Sequence, residues 1–482
     1  TTEVPTQPYV TRSGRISKPP ERLSPTMTGK SYNNLVMGFK ETVEYDNAMV
    51  GAVFKAMDHY ALQQYGLERG IKEWGDRGKN AAFEEVKQLH MRTTFKPINM
   101  DDMTSEERRK AIGLLIFLKE KTDGTIKGRA CADGRKQRED VEKGDAASPT
   151  VSLESVLLTA LIDAYENRDV ATVDIPNAFV QTDMEGEKVV MKLRGKLAEL
   201  LVQVAPEIYS KYIIMENGKV ALYVELLKAL YGCLKSALLF YRKLLRDLQS
   251  QGFELNPYDS CVVNKMVNGT RHTVVWHVDD LKSSHVDSVV NDKFVDWIKK
   301  TYASDGVGKV KTSRGKVHAY LGMELDYSEP GTVRINMEDY VNRMLESFPY
   351  EVTGTSASPA PDYLFTTRDE ANKLDPEMHA AFHTMVAKGL FACKRARPDI
   401  QLSIAFLITR VREPDEDDWK KLIKLLKYLN GTRKLALKLS ADNMSVLKWY
   451  VDTSFAVHPD CRNNTGGVLT LGKGMAYSTS TK

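Results

Sequence analysis

Carboxylates stand at two places in this sequence where the neighbouring residues are apolar. Val170-Ala171-Thr172-Val173 runs into Asp174, and Val274-Val275-Trp276-His277-Val278 runs into the pair Asp279-Asp280. An ionised carboxylate beside buried strands is costly unless a cation or hydrogen-bond donors compensate it. Three such groups brought together favour a hard divalent cation, with Mg²⁺ the natural choice and Mn²⁺ a substitute. The apolar run before Asp279-Asp280 and the stretch from Leu281 to His285 after it suit a hairpin whose turn carries the pair past a sheet edge. Aspartate also favours turns for conformational reasons alone, so each site taken singly has a plain structural reading as well.

The neighbourhood adds chemistry to the set. Phe179 follows Asp174 by five residues, beyond Pro176. An aromatic ring one turn past a metal-binding strand end can lie against a nucleotide sugar and exclude a 2′-hydroxyl, which selects deoxynucleotides. Upstream, Lys127, Arg129, Arg135, Lys136 and Arg138 put five basic residues within twelve, opposed only by Asp133. Such groups on a glycine-containing loop suit a triphosphate, although basic clusters also occur as solvated faces. His379 and His383 have the i,i+4 spacing of a helical zinc pair, but "HAAFH" lacks the Glu of the protease motif and no third ligand is evident. The Gly306-Val307-Gly308-Lys309 run lacks the earlier glycine of a phosphate loop, Ala303 standing there, and reads as a surface turn.

With 482 residues, 42% hydrophobic and 27% charged, the chain is ordinary globular material with room for about three domains. Wholesale disorder and collagen-like repeats are excluded. The longest apolar runs, such as Ile112 to Leu118, stop far short of the ~18 residues that span a bilayer, and the amino terminus has no signal-peptide core. A soluble, non-secreted protein with no membrane partner is expected. Five scattered cysteines (Cys131, Cys233, Cys261, Cys393, Cys461), none in a Cys-x-x-Cys pair, fit neither a disulfide framework nor a zinc finger and point to a reducing compartment. The net charge of +4 is small, so a polyanion must be held by local basic patches and not by the overall field.

Along the chain, 1–30 is rich in Pro, Thr, Ser and basic residues and poor in large aliphatics, the composition of a basic disordered linker. Residues 31–90 read as a helical N-terminal extension, with Gly66, Gly70 and Gly75 breaking the run. From 91 to 330, helices alternate with β-rich runs (Gly113 to Lys119, Val170 to Asp174, Lys188 to Leu193, Ala221 to Glu225, Thr273 to Val278), an α+β pattern. Asn217-Gly218 and Asn268-Gly269 mark two tight hairpins. Residues 331–444 turn helical, with Pro376, Pro398 and Pro414 at helix starts. Residues 445–482 return to three strand-like runs, a sheet too small to stand alone.

Segment by segment, the sequence resembles the reverse transcriptases of copia-type LTR retrotransposons. The resemblance is carried by "TRSGRISKPPERL", "KGRACADGRKQRE", "ASPTVSLESVLLTAL", "VDIPNAFVQTDMEGEKVVMKL", "LLKALYGCLKSALLFY", "GFELNPYDSCVV", "WHVDDLKSSHV", "YLGMELDYS", "ARPDIQLSIAFLITR", "WKKLIKLLKYLNGT" and "YVDTSFAVHPDCRNNTGGVLTLG", in that order. It implies a right-hand polymerase fold, with fingers and palm over 91–330 and a helical thumb or connection over 331–444, followed by an incomplete RNase H-like sheet over 445–482.

The resemblance assigns Asp174 to the first palm carboxylate, and Asp279 and Asp280 to the pair on the palm hairpin. All three are catalytic and metal-binding, holding two Mg²⁺ ions for nucleotidyl transfer. Phe179 falls on the sugar-gating aromatic, and Arg129, Arg135, Lys136 and Lys235 fall among residues that bind the incoming nucleotide. His277 and the "YLGMEL" segment, with Tyr320, Leu321, Gly322 and Met323, fall on the part that binds the primer. The implied activity copies retrotransposon RNA into cDNA. Its partners are an RNA template, a DNA or tRNA primer, an RNA–DNA hybrid and dNTPs, in a cytoplasmic virus-like particle or the nucleus; dimerisation stays open. The competing reading is a decayed or domesticated descendant that binds nucleic acid without polymerising.

The sequence also departs from the family. His277 replaces the usual Tyr or Phe, and it is expected close to the primer end, partly protonated near neutral pH. In "YGCLKSALLFY", Tyr231 to Tyr241, Lys235, Ala237 and Leu238 replace the usual Gln, Pro and Arg. Asp452 in "YVDTSFA" matches the first RNase H carboxylate. The remaining ones fall beyond Lys482, so no RNase H activity is expected and the carboxyl end reads as a truncation or processing boundary.

Overall fold

The computed structural model describes residues 64–121, 123–138, 147–303 and 308–482, and the backbone of a small ribbon in which Tyr9–Val10 pairs with Ile16–Ser17. Apart from that ribbon, the linker 1–30 and most of the 31–90 extension lie outside the described residues.

Leu67–Met91 consists of two helical segments that meet at a corner at Gly75 (φ 55°, ψ −131°). Gly70 does not break the helix as expected. It allows close packing instead, since a Cβ there would stand 2.8 Å from the Leu118 side chain. The helical segments cover a sheet ordered Gln64–Gly66, Ile112–Glu120, Val190–Arg194, Lys219–Leu226 and Phe95–Ile98, with Ile126–Ala132 and Ile214–Glu216 attached at its sides. Alternation along Ile112–Glu120 buries Ile112, Leu114, Ile116 and Leu118 against Val86 and Leu89 of the helix. Each such side chain contributes about 1.5–3 kcal/mol on burial. The helix therefore shares one core with this sheet, and the boundary expected at residue 90 falls inside a packed unit.

The central sheet runs Glu254–Leu255, Val262–Val267, Thr270–His277, Asp280–His285, Asp169–Asp174 and Lys311–Ser313, each neighbour antiparallel to the next. Asn268-Gly269 makes its expected tight hairpin, both residues at positive φ (51° and 78°), the twist that two-residue hairpins favour. Asn217-Gly218 does the same in the first sheet (52° and 74°). Alternation along Asp280–His285 sends successive side chains to opposite layers. Ser283 bonds to Asn291 of helix Ser288–Tyr302 (2.7 Å), while Lys282 reaches Asp163 of helix Leu153–Tyr165. Leu153–Tyr165 buries Leu153, Val156, Leu157, Ala160, Leu161, Asp163 and Ala164, and a third sheet, Val317–Tyr320, Met323–Asp326, Thr332–Asn336, Leu437–Ala441 and Gly472–Lys473, packs against it.

Helices Glu338–Glu346, Pro376–Arg395, Gln401–Ile408 and Glu416–Gly431 share a further core built on Phe382, Leu407 and Leu425. Asp375 caps the second, accepting from Glu377 N and Met378 N with Pro376 in the first position, a cap worth about 1 kcal/mol. The stretch 331–444 is not helical throughout, because Thr332–Asn336 and Leu437–Ala441 bracket the helices and pair with each other. Lys448–Ser454, Asn464–Thr470 and Tyr477–Thr481 form a separate antiparallel sheet, seated on the helices by the His458 ring, 4.9 Å from that of Phe365 and 6.3 Å from that of Phe406. The architecture is α+β, as expected. Among the described residues, no helix is long and apolar enough to cross a membrane.

Candidate active site

The two carboxylate runs meet. Asp169–Asp174 and Asp280–His285 are neighbouring antiparallel strands in which Asp174 is the register partner of Asp280. His277 pairs with Asp280, which leaves Val278 and Asp279 as the two-residue turn of the hairpin. Ile175 N donates to Asp279 O (3.1 Å) and holds that turn against the end of the Asp174 strand. Val278 takes a φ of +58°, a region that β-branched residues avoid and that this kind of turn normally gives to glycine. Backbone strain is therefore stored at the turn that carries Asp279.

The carboxylates are short of positive charge. Burial, then the charges of Asp279 and Asp174, push the Asp280 carboxyl up to about 6. Asp279 is raised as well, by burial first, with Asp174 adding to the effect and the Arg129 guanidinium opposing it. Lys311, the register partner of Asp174 on its other side, places Nζ 3.9 Å from Asp174 Oδ2. Hard oxygen donors in this electrostatic state fit Mg²⁺ or Mn²⁺. Among the described residues, no group of three or more His, Cys, Asp or Glu side chains is gathered closely enough to hold an ion by itself. An ion taken by one or two carboxylates together with water and phosphate oxygens needs no such cage.

Next to the hairpin, four side chains from different elements form one contiguous set. Phe179 sits in the short turn Ala178–Gln181, 7% exposed, with its ring centroid 4.2 Å from that of Tyr231. The Arg129 guanidinium, from strand Ile126–Ala132, stands 5.2 Å from the Tyr231 ring centroid. Tyr231 Oη in turn donates to Asp279 Oδ2 at 3.5 Å. Tyr231 is missing from the residues expected at the site, although it opens the "YGCLKSALLFY" segment beside a glycine. Its backbone is fixed, since Ala132 N donates to Tyr231 O (2.6 Å) and a Cβ on Gly232 (φ +89°) would lie 2.0 Å from Ala132 O.

Other expected nucleotide ligands are occupied elsewhere. Arg135 makes two hydrogen bonds to Asp133 (2.8 and 2.6 Å), and Lys136 Nζ donates to the carbonyls of Arg109 and Ala111 (2.9 and 3.1 Å). The acidic residue opposing the basic run captures one of its members, and the adjacent backbone takes another. Lys127 and Arg129 stay solvent-accessible, and the Arg138 side chain lies outside the described residues. Lys235 is half-buried at the start of helix Ser236–Ser250, where Leu234 N donates to Gln137 Oε1 (3.1 Å) and ties the segment to the turn Gly134–Arg138.

The expected primer contacts need correction. Tyr320 and Met323 are 3% and 2% exposed, and Tyr320 Oη donates toward the carbonyls of Val275 and Asp280 at 3.3 and 3.4 Å. They support the Asp279-Asp280 hairpin from beneath and offer a primer no surface. The presented tip is Leu321 (φ +50°) and Gly322 (φ +79°), with Phe391 of helix Pro376–Arg395 packed 3.3 Å from where a Gly322 Cβ would stand. His277 is shifted toward the neutral form and not toward the imidazolium. Burial lowers its pKa, Arg395 adds to that, and Asp279 does not compensate. Sequence shows the nearby aspartate but gives no sign of an arginine arriving from a distant helix.

Asp452 lies exposed on Lys448–Ser454, opposite Gly466, on a sheet separate from the central one. His379 Nε2 donates to the Val411 carbonyl (2.9 Å). Residues 304–307 of the glycine-containing run lie outside the described residues.

Comparison with known proteins gives a coherent set. The family described as reverse transcriptase (RNA-dependent DNA polymerase) matches residues 101–362. A putative transposon Ty5-1 protein of Saccharomyces cerevisiae is 24% identical over 261 residues, covering 54% of this chain and 81% of that protein. A retrovirus-related Pol polyprotein from transposon TNT 1-94 of Nicotiana tabacum is 22% identical over 413 residues, 83% of this chain but only 28% of the polyprotein. A foamy viral protease-reverse transcriptase, solved in complex with double-stranded DNA, overlays with a TM-score of 0.48 at 14% identity, covering 96% of this chain and 70% of that one.

Proposed function

The chain belongs to the reverse transcriptase (RNA-dependent DNA polymerase) family, and we propose that it copies retrotransposon RNA into DNA by two-metal-ion nucleotidyl transfer at Asp174, Asp279 and Asp280. The observation that carries this reading is the strand register that sets Asp174 opposite Asp280, with Asp279 on the adjoining turn. When bound, Mg²⁺ supplies activation of a primer 3′-hydroxyl and neutralises charge on the triphosphate. Asp174 and Asp279 are its principal ligands, and Asp280 stands beside them. Arg129 binds the triphosphate from the neighbouring sheet, held at that place by the Tyr231 ring. Phe179 borders the sugar and disfavours a 2′-hydroxyl. The Leu321-Gly322 tip and the adjoining Phe391 seat the primer strand, and His277 faces it with its imidazole shifted toward the neutral form. An RNA template, a DNA or tRNA primer and dNTPs are the partners this arrangement serves.

The test is primer extension on poly(A) with oligo(dT), dTTP and Mg²⁺ or Mn²⁺, comparing the wild type with Asp279→Asn. Extension by the wild type that the variant loses supports the reading. Hybrid binding with no extension by either protein favours a descendant that binds nucleic acid without copying it.

A further inference from the structure

A charged residue occurs where the sequence offers it no reason to be. Helix Leu153–Tyr165 carries its other polar side chains, Glu154, Ser155 and Thr159, at partly exposed positions, yet Asp163 is buried at 1% exposure. Lys282, between Leu281 and Ser283 on the strand that begins at Asp280, is equally buried, and its Nζ donates to Asp163 Oδ2. Arg168 is buried too, with Nη1 3.9 Å from the other oxygen, Asp163 Oδ1. The same Nη1 donates to Thr273 Oγ1 (3.0 Å) and Ser284 Oγ (3.5 Å), and Arg168 Nε donates to Glu166 (2.8 Å).

These contacts have a common topology. Arg168 immediately precedes strand Asp169–Asp174, which ends in the first carboxylate. Lys282 lies two residues beyond Asp280 and so on the same face of its strand. Thr273 lies on the strand that leads into the hairpin. We propose that Asp163 is a positioning residue for polymerisation, a single buried carboxylate to which the strands bearing Asp174 and Asp279-Asp280 are both tied. The inference rests on the polymerase reading above.

Physical reasons favour placement over stability as its role. Three carboxylates crowded at one sheet end repel each other, and the strained Val278 turn gives the strand ends a further tendency to part. A cross-link through one rigid helix opposes both. A buried ion pair is a poor way to gain stability, because apolar residues of similar volume serve as well or better. Positional error at reacting groups is expensive by comparison: a misplacement of about 1 Å can cost roughly a hundredfold in rate.

That contrast provides the experiment. Asp163→Leu and Lys282→Met each leave a buried charge without its partner, so each alone should melt well below the wild type. The double variant replaces the pair with apolar groups and leaves Arg168 on Glu166, so its melting temperature should return close to that of the wild type. Its kcat on poly(A)/oligo(dT) should still stay at least about tenfold below the wild type, with the KM for dTTP within about twofold. Mn²⁺ binding by the protein alone, read by electron paramagnetic resonance, should weaken several-fold. Should the double variant not fold, Asp163→Asn, which keeps the shape and an acceptor for Lys282, replaces it, with a lowered melting temperature but the same expected changes in kcat and Mn²⁺ affinity. An active wild type whose folded variant matches it in kcat and Mn²⁺ affinity would overturn the inference alone. A wild type that neither extends a primer nor binds Mn²⁺ would overturn the polymerase reading and this inference with it.

Discussion

Asp174 and Asp280 face each other across two antiparallel strands, direct partners in the register, and Asp279 on the adjoining turn completes a crowd of like charges. If these groups hold the ions that stabilise charge in the transition state, Asp174→Asn, Asp279→Asn and Asp280→Asn should each lower steady extension at least about a hundredfold. Amide for carboxylate is isosteric and relieves repulsion, so circular dichroism should stay native. Near wild-type rates in two of the three would place the chemistry elsewhere.

Asp280 also sets a pH dependence. Its carboxyl, at about 6 in the folded protein against 3.8 ordinarily, binds protons more tightly in the native state than in the unfolded one. Between those values the metal-free protein therefore loses stability as pH rises, and above them the whole penalty is present. Metal binding must displace that proton. Mn²⁺ affinity is expected to climb by up to about tenfold per pH unit below about pH 6 and to level off above it, with a shallower slope in Asp280→Asn. Calorimetric titration at pH 5, 6 and 7 reads this directly, and an affinity that is flat in the wild type would remove Asp280 from the set of ligands.

What the sequence makes legible here is local. Apolar runs ending in aspartate, Asn-Gly turns and proline-led helices are short-range signals, and the strands, hairpins and carboxylate cluster appear where those signals put them. What it hides is decided by residues far apart in the chain. Tyr320 reads as a primer contact but is buried under the carbonyls of Val275 and Asp280. Lys136 reads as a phosphate ligand until the Arg109 and Ala111 carbonyls arrive beside it. Tyr231 carries no chemical signal in its segment and acquires one only when Arg129, Phe179 and Asp279 close around it.

Phe179 gives a test of sugar selection that its packing constrains. Its ring lies against Tyr231 and, at 6.2 Å, near Phe240, so Phe179→Ala would leave a cavity costing about 3–5 kcal/mol. Phe179→Val is the milder change. It should raise incorporation of rUTP relative to dTTP by about tenfold or more while leaving metal dependence unaltered. An unchanged ratio in an active variant would move the gate to another residue.

The redirected basic residues predict an uneven salt response. Each phosphate neutralised on a duplex contributes about −0.9 to the slope of log affinity against log salt. Arg129→Ala, which removes a triphosphate contact, should therefore make the salt slope for the complex with hybrid and dNTP shallower by roughly that amount. Arg135→Ala and Lys136→Ala, whose side chains already serve Asp133 and two backbone carbonyls, should leave it nearly unchanged. Filter binding across a salt series separates the cases, and equal effects from all three would show that Arg135 and Lys136 turn toward nucleic acid when it binds.

His277 supplies the last expectation, because the structure reverses the reading that its position invites. Burial and Arg395 both push its imidazole below the ordinary value, and Asp279 does not offset them. A metal ion on Asp279 would push in the same direction. His277 therefore favours its neutral form over the imidazolium. Its depressed pKa makes the native state lose stability only as pH falls from about 6.5 toward the folded value, where the unfolded chain takes up the proton first. His277→Tyr should thus leave the shape of the rate-versus-pH profile between pH 6 and 8 unchanged. Arg395→Gln removes one of the two downward influences, so it should raise the pH at which His277 titrates, visible as a shifted imidazole C2-proton resonance. Combining Arg395→Gln with His277→Tyr should abolish that titration. If His277→Tyr alone reshapes the profile across pH 6 to 8, the imidazole carries a proton during turnover, and burial is not what governs it.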